Sequence, residues 1–219
     1  MSADLRETLR RGALALSLSL DERQFDLLMD YLALILKWNQ VYNLTSLRDP
    51  AEMLTHHLLD SLAVIGPLQV QARQLTPAAG GLRLLDVGSG AGLPGVVIAI
   101  CSPDIAVTCV DTVGKKAAFI QQVAVSLKLP NLRGLHARVE TLKDTYDVVS
   151  SRAFASLLDF TRGSQAALAP AGIWLAMKGK QPIDEMAHLP KNVQVFHVEQ
   201  LQVPELPAER CIVWMRHAN

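Results

Sequence analysis

The segment Leu84-Leu85-Asp86-Val87-Gly88-Ser89-Gly90-Ala91-Gly92-Leu93-Pro94-Gly95 constrains this chain more than any other feature. An apolar run ending in a carboxylate breaks into a glycine-rich turn, and a helical pattern follows. Glycines are needed where backbone must approach a ligand with no side chain between, and the helix start beyond supplies unpaired amide hydrogens. The segment predicts an α/β sheet with a nucleotide-like cofactor at the carboxyl edge of its first strand.

The rest of the chain agrees with that architecture. From residue 82 onward, short runs rich in branched residues alternate with helical patterns, the signature of a parallel sheet. Strands are expected at 83–87, 106–111, 132–136, 146–150 and 172–178, with helices after the first, second and fourth. Segments 193–201 and 210–217 alternate apolar and polar residues with no room for a crossover helix, which predicts an antiparallel hairpin at the sheet edge. The expected unit, 82–219, is a Rossmann-like, seven-stranded, mostly parallel sheet.

Residues 1–68 read as a helical extension packed on that unit. Phe25, Leu28, Leu32, Ile35 and Tyr42 recur on one helical face, and Ser19 with Glu22 forms a capping box ahead of them. Asp49-Pro50-Ala51-Glu52 starts a second helix before Met53, His57 and Leu58, and a third ends near Gly66-Pro67. The polar, small stretch 69–81, with Pro77, Gly80 and Gly81, reads as a linker.

Composition narrows the function. The 21 basic and 21 acidic residues cancel, so nucleic-acid contact would have to come from a local basic patch. Cys101, Cys109 and Cys211 show no CxxC or metal-ligand spacing, and neither disulfides nor a structural zinc is expected. The start of the chain lacks the apolar segment of a secretion signal, and the greasy stretch 27–38 is interrupted by Asp30 and Lys37. A soluble cytoplasmic protein with no membrane contact is expected. His56 and His57 are adjacent on a helix and lack partners at metal spacing, so they read as structural or RNA-facing, and no metal site is expected.

Gly90, Gly92 and Gly95 also satisfy GxGxxG, the dinucleotide fingerprint, so the loop alone does not choose the cofactor. Two carboxylates bear on the choice. Asp86 would repel a pyrophosphate but can receive the cationic amino group of S-adenosylmethionine, directly or through water. Asp111, at the end of the second strand, can accept two bonds from ribose hydroxyls, a device that nicotinamide enzymes share. The bland alternative is that Asp111 caps the helix at 114–128. Gly88, Gly90 and Asp111 are thus candidate cofactor contacts.

Beyond the loop, Lys37-Trp38-Asn39-Gln40-Val41-Tyr42-Asn43-Leu44-Thr45-Ser46, His56-His57-Leu58-Leu59-Asp60-Ser61-Leu62 and Ser151-Arg152-Ala153-Phe154-Ala155 resemble the RsmG family, also called GidB. The resemblance runs from Leu18 to Val213, with Ser89 and Ala91 standing where other members carry Thr and Pro. It implies a bacterial methyltransferase that moves a methyl group from S-adenosylmethionine to N7 of one guanine in 16S ribosomal RNA. It further implies cofactor contacts at Gly88, Leu93, Val139, Glu140 and Arg152, with the small subunit or its RNA as partner; separately, a monomeric chain is expected. Val139 and Glu140 suit an adenine ring, which needs an apolar slot and an acceptor for its amine. They suit equally a packed valine and a helix-starting glutamate.

The residues fit that chemistry by what they lack. Guanine N7 exposes a lone pair and carries no proton, so no general base is required, and none is obvious. After the fourth strand the chain reads Ser150-Ser151-Arg152-Ala153-Phe154, not the Asn/Asp-Pro-Pro-aromatic box of adenine-amine methyltransferases. No cysteine stands there for carbon-5 pyrimidine chemistry. Arg152 would position the methionine portion or the guanine, or else pair with Glu140 or Asp86. A basic rim of Lys178, Lys180, Lys115, Lys116, Arg138 and Arg152 would meet phosphates. Arg138, Arg152, Phe154 and Lys178 are the RNA candidates, whereas Trp38 and Tyr42, on helical spacing, are expected in the core.

Overall fold

The computed structural model describes residues 2–76 and 80–218. Its strands are β1 (Arg83–Val87), β2 (Ala106–Asp111), β3 (Leu132–His136), β4 (Tyr146–Arg152), β5 (Leu168–Lys178), β6 (Val193–Leu201) and β7 (Arg210–His217). They form one seven-stranded sheet in the order β3-β2-β1-β4-β5-β7-β6. The five strands from β3 to β5 run parallel, while β7 is antiparallel to both β5 and β6. The expected hairpin is therefore present, and its second strand inserts between β5 and its own partner. That order puts the start of β7 beside the end of β5, with Cys211 opposite Lys178. Expected strands four and five are longer than their apolar cores, because β4 continues to Arg152 opposite Met177 and β5 begins at Leu168.

Alternation along the strands sorts their side chains onto two faces. Leu84, Val148, Leu175 and Trp214 join the larger core, and Leu85, Val149, Trp174 and Val213 join the smaller one. Helices α1 (Ser2–Ala15), α2 (Glu22–Tyr42), α3 (Pro50–Met53), α4 (Asp60–Leu62) and α5 (Ile65–Ala72) precede the sheet. Their buried residues, Leu9, Leu28, Ile35, Met53 and Leu62 among them, share the larger core with Val96 of α6 (Gly95–Cys101) and Phe119 of α7 (Gly114–Ser126). The opposite face is closed by α8 (Leu157–Ser164), with Leu157 and Phe160 buried, while α9 (Ile183–Ala187) is short and half-exposed. Among the described residues no helix is long and apolar enough to cross a membrane.

The helical region differs in detail from its sequence reading. The capping box at α2 is made by Asp21 and Gln24, not by Ser19 and Glu22: Asp21 Oδ1 accepts from Gln24 N at 2.7 Å and Gln24 Oε1 from Asp21 N at 3.0 Å. Both pairs have the same spacing, and the turn at Ser17, with φ of 57°, sets the helix start two residues later. Asp49 caps α3 through Ala51 N and Glu52 N, with Pro50 at the first helical position. The chain then passes through a π-helical turn, Leu54–Leu59, into α4. Helix α5 runs through Gly66 and Pro67 because a proline in the first turn forgoes an amide that has no helical partner anyway. Gln69–Ala72, read as linker, is therefore helical, and Pro77 of that stretch lies outside the described residues.

Candidate functional site

The glycine turn sits where β1 ends. Gly88, Gly90 and Gly92 all take positive φ, at 66°, 59° and 93°, a backbone conformation that side chains disfavour. Their surroundings differ. A side chain at Gly92 would run into Val96, and one at Gly95 into Cys109 and Asp86, so these two let α6 pack on the strands. At Gly90 nothing stands within 4 Å of where a Cβ would be, and at Gly88 only the Phe154 ring does, at 4.0 Å. Tyr31 of α2 pins this turn from the helical region, its hydroxyl donating to Ala91 O at 2.6 Å.

Asp86 has a different job from the one its position suggested. It is fully buried, accepting from Gly95 N at 3.0 Å and from Ser150 Oγ at 2.9 Å. Burial raises its carboxyl from 3.8 to about 6 against the lowering effect of those two bonds and of Arg152. It joins α6 to β1 and β4 and presents no exposed oxygen to a ligand amine. Asp111 stands at the cavity instead, with Oδ2 accepting from Gly90 N at 3.0 Å and Oδ1 from Val113 N at 2.8 Å. Asp111 therefore braces the glycine turn and the residue before α7, but it does not cap that helix, whose cap position is Val113 and carries no side-chain cap bond. Each oxygen keeps a second lone pair.

Two cavities open along the carboxyl edge. The first, about 220 Å³, is lined by Gly88, Val110, Asp111, Thr112, Ala137, Arg138, Val139, Glu140 and Phe154 among others. It has apolar walls from Val110, Ala137 and buried Val139, with carboxylates at Asp111 and exposed Glu140. Glu140 lies 3.7 Å from Arg138 Nε, the two side chains 52% and 75% exposed, so neither is locked. Leu93, an expected cofactor contact, is 2% exposed and packs in the larger core away from this lining.

The second cavity, about 450 Å³, is lined by Thr45, Ser46, Leu47, His56, His57, Asp60, Arg152, Ala153, Met177, Lys178, Gly179 and Arg210. Ala153 separates the two. Its φ of 59° turns the chain so that Arg152 lines one cavity and Phe154 the other. Arg152 is paired, though with neither Glu140 nor Asp86: Nη1 donates to Asp60 Oδ2 at 3.1 Å and to His56 O at 2.9 Å. The same carboxylate takes Arg210 Nε at 2.8 Å through Oδ1.

The expected basic rim is only partly assembled as free charge. Lys178 is 13% exposed and donates to both oxygens of Glu185, at 3.0 and 2.8 Å. Lys115 and Lys116 begin α7, and Lys180 is exposed beyond β5. His57 is a satisfied structural histidine on one side, its Nε2 2.9 Å from Thr45 Oγ1, and burial followed by the Arg152 charge lowers it from 6.5 to about 4. His56 is exposed at the second cavity. Phe154 is half-buried, tilted against Phe160 with ring centroids 5.5 Å apart. Trp38 packs between Tyr42 and Phe119 at 5.0 and 5.3 Å, whereas Tyr42, expected in the core, is 40% exposed because it ends α2 beyond the covered face.

Sequence reasoning missed Asp60 and Arg210. The signal for Asp60 was a carboxylate inside an unbroken buried run, which a fold tolerates only beside cations. Arg210 gave no such signal, since only the insertion of β7 beside β5 brings it to the carboxyl edge.

The chain matches the family model GidB, described as rRNA small subunit methyltransferase G, over residues 24–213. It is 64% identical to Ribosomal RNA small subunit methyltransferase G of Polaromonas naphthalenivorans (strain CJ2) over 97% of this chain and 96% of that protein. The corresponding protein of Albidiferax ferrireducens is 66% identical over 98% of each. Among solved structures, a SAM dependent methyltransferase from Aquifex aeolicus superposes with a TM-score of 0.51 at 16% identity, covering 79% of this chain and 96% of that one. That likeness establishes the fold, a sheet shared with S-adenosylmethionine-dependent methyltransferases. The match over most of its length makes the chain a member of the GidB family, rRNA small subunit methyltransferase G.

Proposed function

We propose that this cytoplasmic, monomeric chain transfers a methyl group from S-adenosylmethionine to N7 of a guanine in 16S ribosomal RNA, with residues 1–68 serving as an extension of the catalytic unit 82–219. The observation that carries this reading is the identity of 64–66% with proteins named for ribosomal RNA small subunit methylation, across nearly the whole chain.

The residues present fit the cofactor. The first cavity supplies an apolar slot between Val110 and Val139 for an adenine ring, and Glu140 as acceptor for its amine. Asp111 keeps a lone pair on each oxygen for ribose hydroxyls, and the vacant space at Gly90 leaves backbone open to a ligand. When bound, S-adenosylmethionine supplies an electrophilic methyl group on a sulfonium. The chain's own task is to bind, orient and exclude, since methyl transfer gains most from alignment of donor and acceptor.

No side chain has to take a proton, because guanine N7 carries none. The carboxylates agree with that requirement. Asp60 is committed to two arginines, Asp111 to two amides and Asp86 to the packing of α6. Phe154 lines the first cavity and Arg152 the second, and in this reading the two flank an incoming base from either side of Ala153. Thermal unfolding tests the cofactor half of the reading: S-adenosylhomocysteine raises the midpoint and NADH does not. The reverse result, a shift with NADH alone, would return the loop to the dinucleotide class.

A further inference from the structure

The second cavity holds two guanidiniums on a single carboxylate. Asp60, with a side chain 4% exposed, accepts from Arg152 and Arg210, whose side chains are 21% and 23% exposed. Two cations against one anion leave a surplus positive charge at the cavity wall, and Lys178 does not add to it because Glu185 neutralises it. The surplus is also directed. Arg152 spends Nη1 on Asp60 and His56 O, and Arg210 spends Nε on Asp60 and Nη1 on Glu209 O. Among the described residues no hydrogen bond reaches Nη2 of either arginine.

The π-helical turn makes this arrangement possible. Asp60 N–H bonds to Thr55 O and His57 O, passing over His56 O, which an α-helix would have given it. The carbonyl so released takes Arg152. A half-buried guanidinium fixed at one end, with unspent donors on a residue that lines a cavity, is suited to an oxyanion and above all to phosphate. None of Gly88, Gly90 and Asp111 lines this cavity; Arg152 and Ala153 do, while the next residue, Phe154, lines the other. The anion it suits is therefore a phosphate of the RNA strand, and not the carboxylate of a donor seated on that turn.

We propose that Arg210, held beside Arg152 by the shared Asp60 carboxylate, binds a phosphate of the substrate RNA, and that Asp60 is the residue that positions it. The inference rests on the RNA methyltransferase reading and deepens it.

The test uses the full chain and small ribosomal subunits from a strain that lacks the modification, with KM and kcat for methyl transfer followed across a range of salt, and S-adenosylhomocysteine binding measured by calorimetry. Arg210→Gln raises KM for subunits by about 5- to 20-fold and flattens the log–log salt dependence by about one. Its affinity for S-adenosylhomocysteine stays within about twofold of wild type, and this calorimetric readout also shows that the variant is folded. Arg210→Lys keeps the wild-type salt slope, because the charge remains. Asp60→Asn raises KM as much as Arg210→Gln does, yet leaves the salt slope unchanged, since both cations persist without their holder. A wild-type KM and slope in Arg210→Gln, a flattened slope in Arg210→Lys, or a loss of S-adenosylhomocysteine affinity with unchanged subunit KM each overturn the assignment. Should Arg210→Gln fail to fold, the KM of Asp60→Asn decides: a raised KM at an unchanged salt slope supports the assignment, and a wild-type KM overturns it. Failure of the parent reading shows separately, as absence of transfer to subunits by the wild-type chain.

Discussion

Asp60 Oδ2 accepts from Arg152 at 3.1 Å and Asp60 Oδ1 from Arg210 at 2.8 Å, joining α4, β4 and β7 across 92 and 150 residues of sequence. One buried carboxylate thus ties the helical extension to both halves of the sheet. Asp60→Asn leaves two half-buried cations without their anion and lowers stability by about 2–4 kcal/mol. Arg210→Gln costs less, since Asp60 retains Arg152. Urea unfolding of both single variants and the double variant measures this. A double variant no worse than Asp60→Asn is expected, and strict additivity would show that the pairing contributes nothing.

Tyr31 links the extension to the glycine turn. Tyr31→Phe leaves Ala91 O, the acceptor of a 2.6 Å bond, without its buried donor. A loss of about 1–2 kcal/mol in stability follows. Calorimetry should also show weaker binding of S-adenosylhomocysteine, because the turn it would rest on is no longer pinned. An unchanged affinity would mean that the turn holds its shape without α2.

Two glycines of the same loop separate binding from packing. Gly95→Ala drives a methyl group into Cys109 and Asp86 and should prevent accumulation of folded protein. Gly90→Ala meets no atom within 4 Å and carries only the strain of positive φ, about 1–2 kcal/mol. The Gly90 variant should fold, with a slightly lowered melting temperature, and lose cofactor affinity through the new methyl group. Equal damage from the two substitutions would refute the distinction.

Two buried groups act against each other in acid. His57 is lowered from 6.5 to about 4, so its contribution to stability is whole above pH 6.5 and is lost as pH falls to 4. Asp86 is raised from 3.8 to about 6, so its contribution is whole below 3.8 and is lost as pH rises through 6. Each shift is worth up to about 3 kcal/mol, and between pH 4 and 6 they offset. The stability gap between wild type and His57→Gln should therefore narrow by up to that amount, about 3 kcal/mol, from pH 6.5 to 4. The gap to Asp86→Asn should move the other way. Chemical denaturation at a series of pH values gives both gaps, and a gap independent of pH would remove either group from the account.

What could be read in the residues follows from how local each signal is. Strands β1, β2 and β3, the hairpin segments and the glycine turn rest on runs of branched residues and on glycines, and they fall where the sequence placed them. Helix α1 falls within the region read as helical but has no separate assignment there, because its charges mask a narrow apolar stripe at Leu9 and Ala13. Asp86 was misjudged because a strand-end carboxylate looks available in sequence, whereas the approach of Gly95 and Ser150 walls it off. Arg152 and Lys178 were foreseen at the carboxyl edge, but not their partners Asp60 and Glu185, which come from distant or irregular segments. The π-helical turn has no local signature at all, and the second cavity depends on it.

The most direct test of the central claim is chemical identification of the product. Unmodified small subunits and their isolated 16S RNA are incubated with the chain and methyl-labelled S-adenosylmethionine, and the RNA is digested to nucleosides and separated. The account predicts label in 7-methylguanosine, confined to one guanine of 16S RNA. Label in any other nucleoside, or none in RNA while the chain binds S-adenosylhomocysteine, would contradict it.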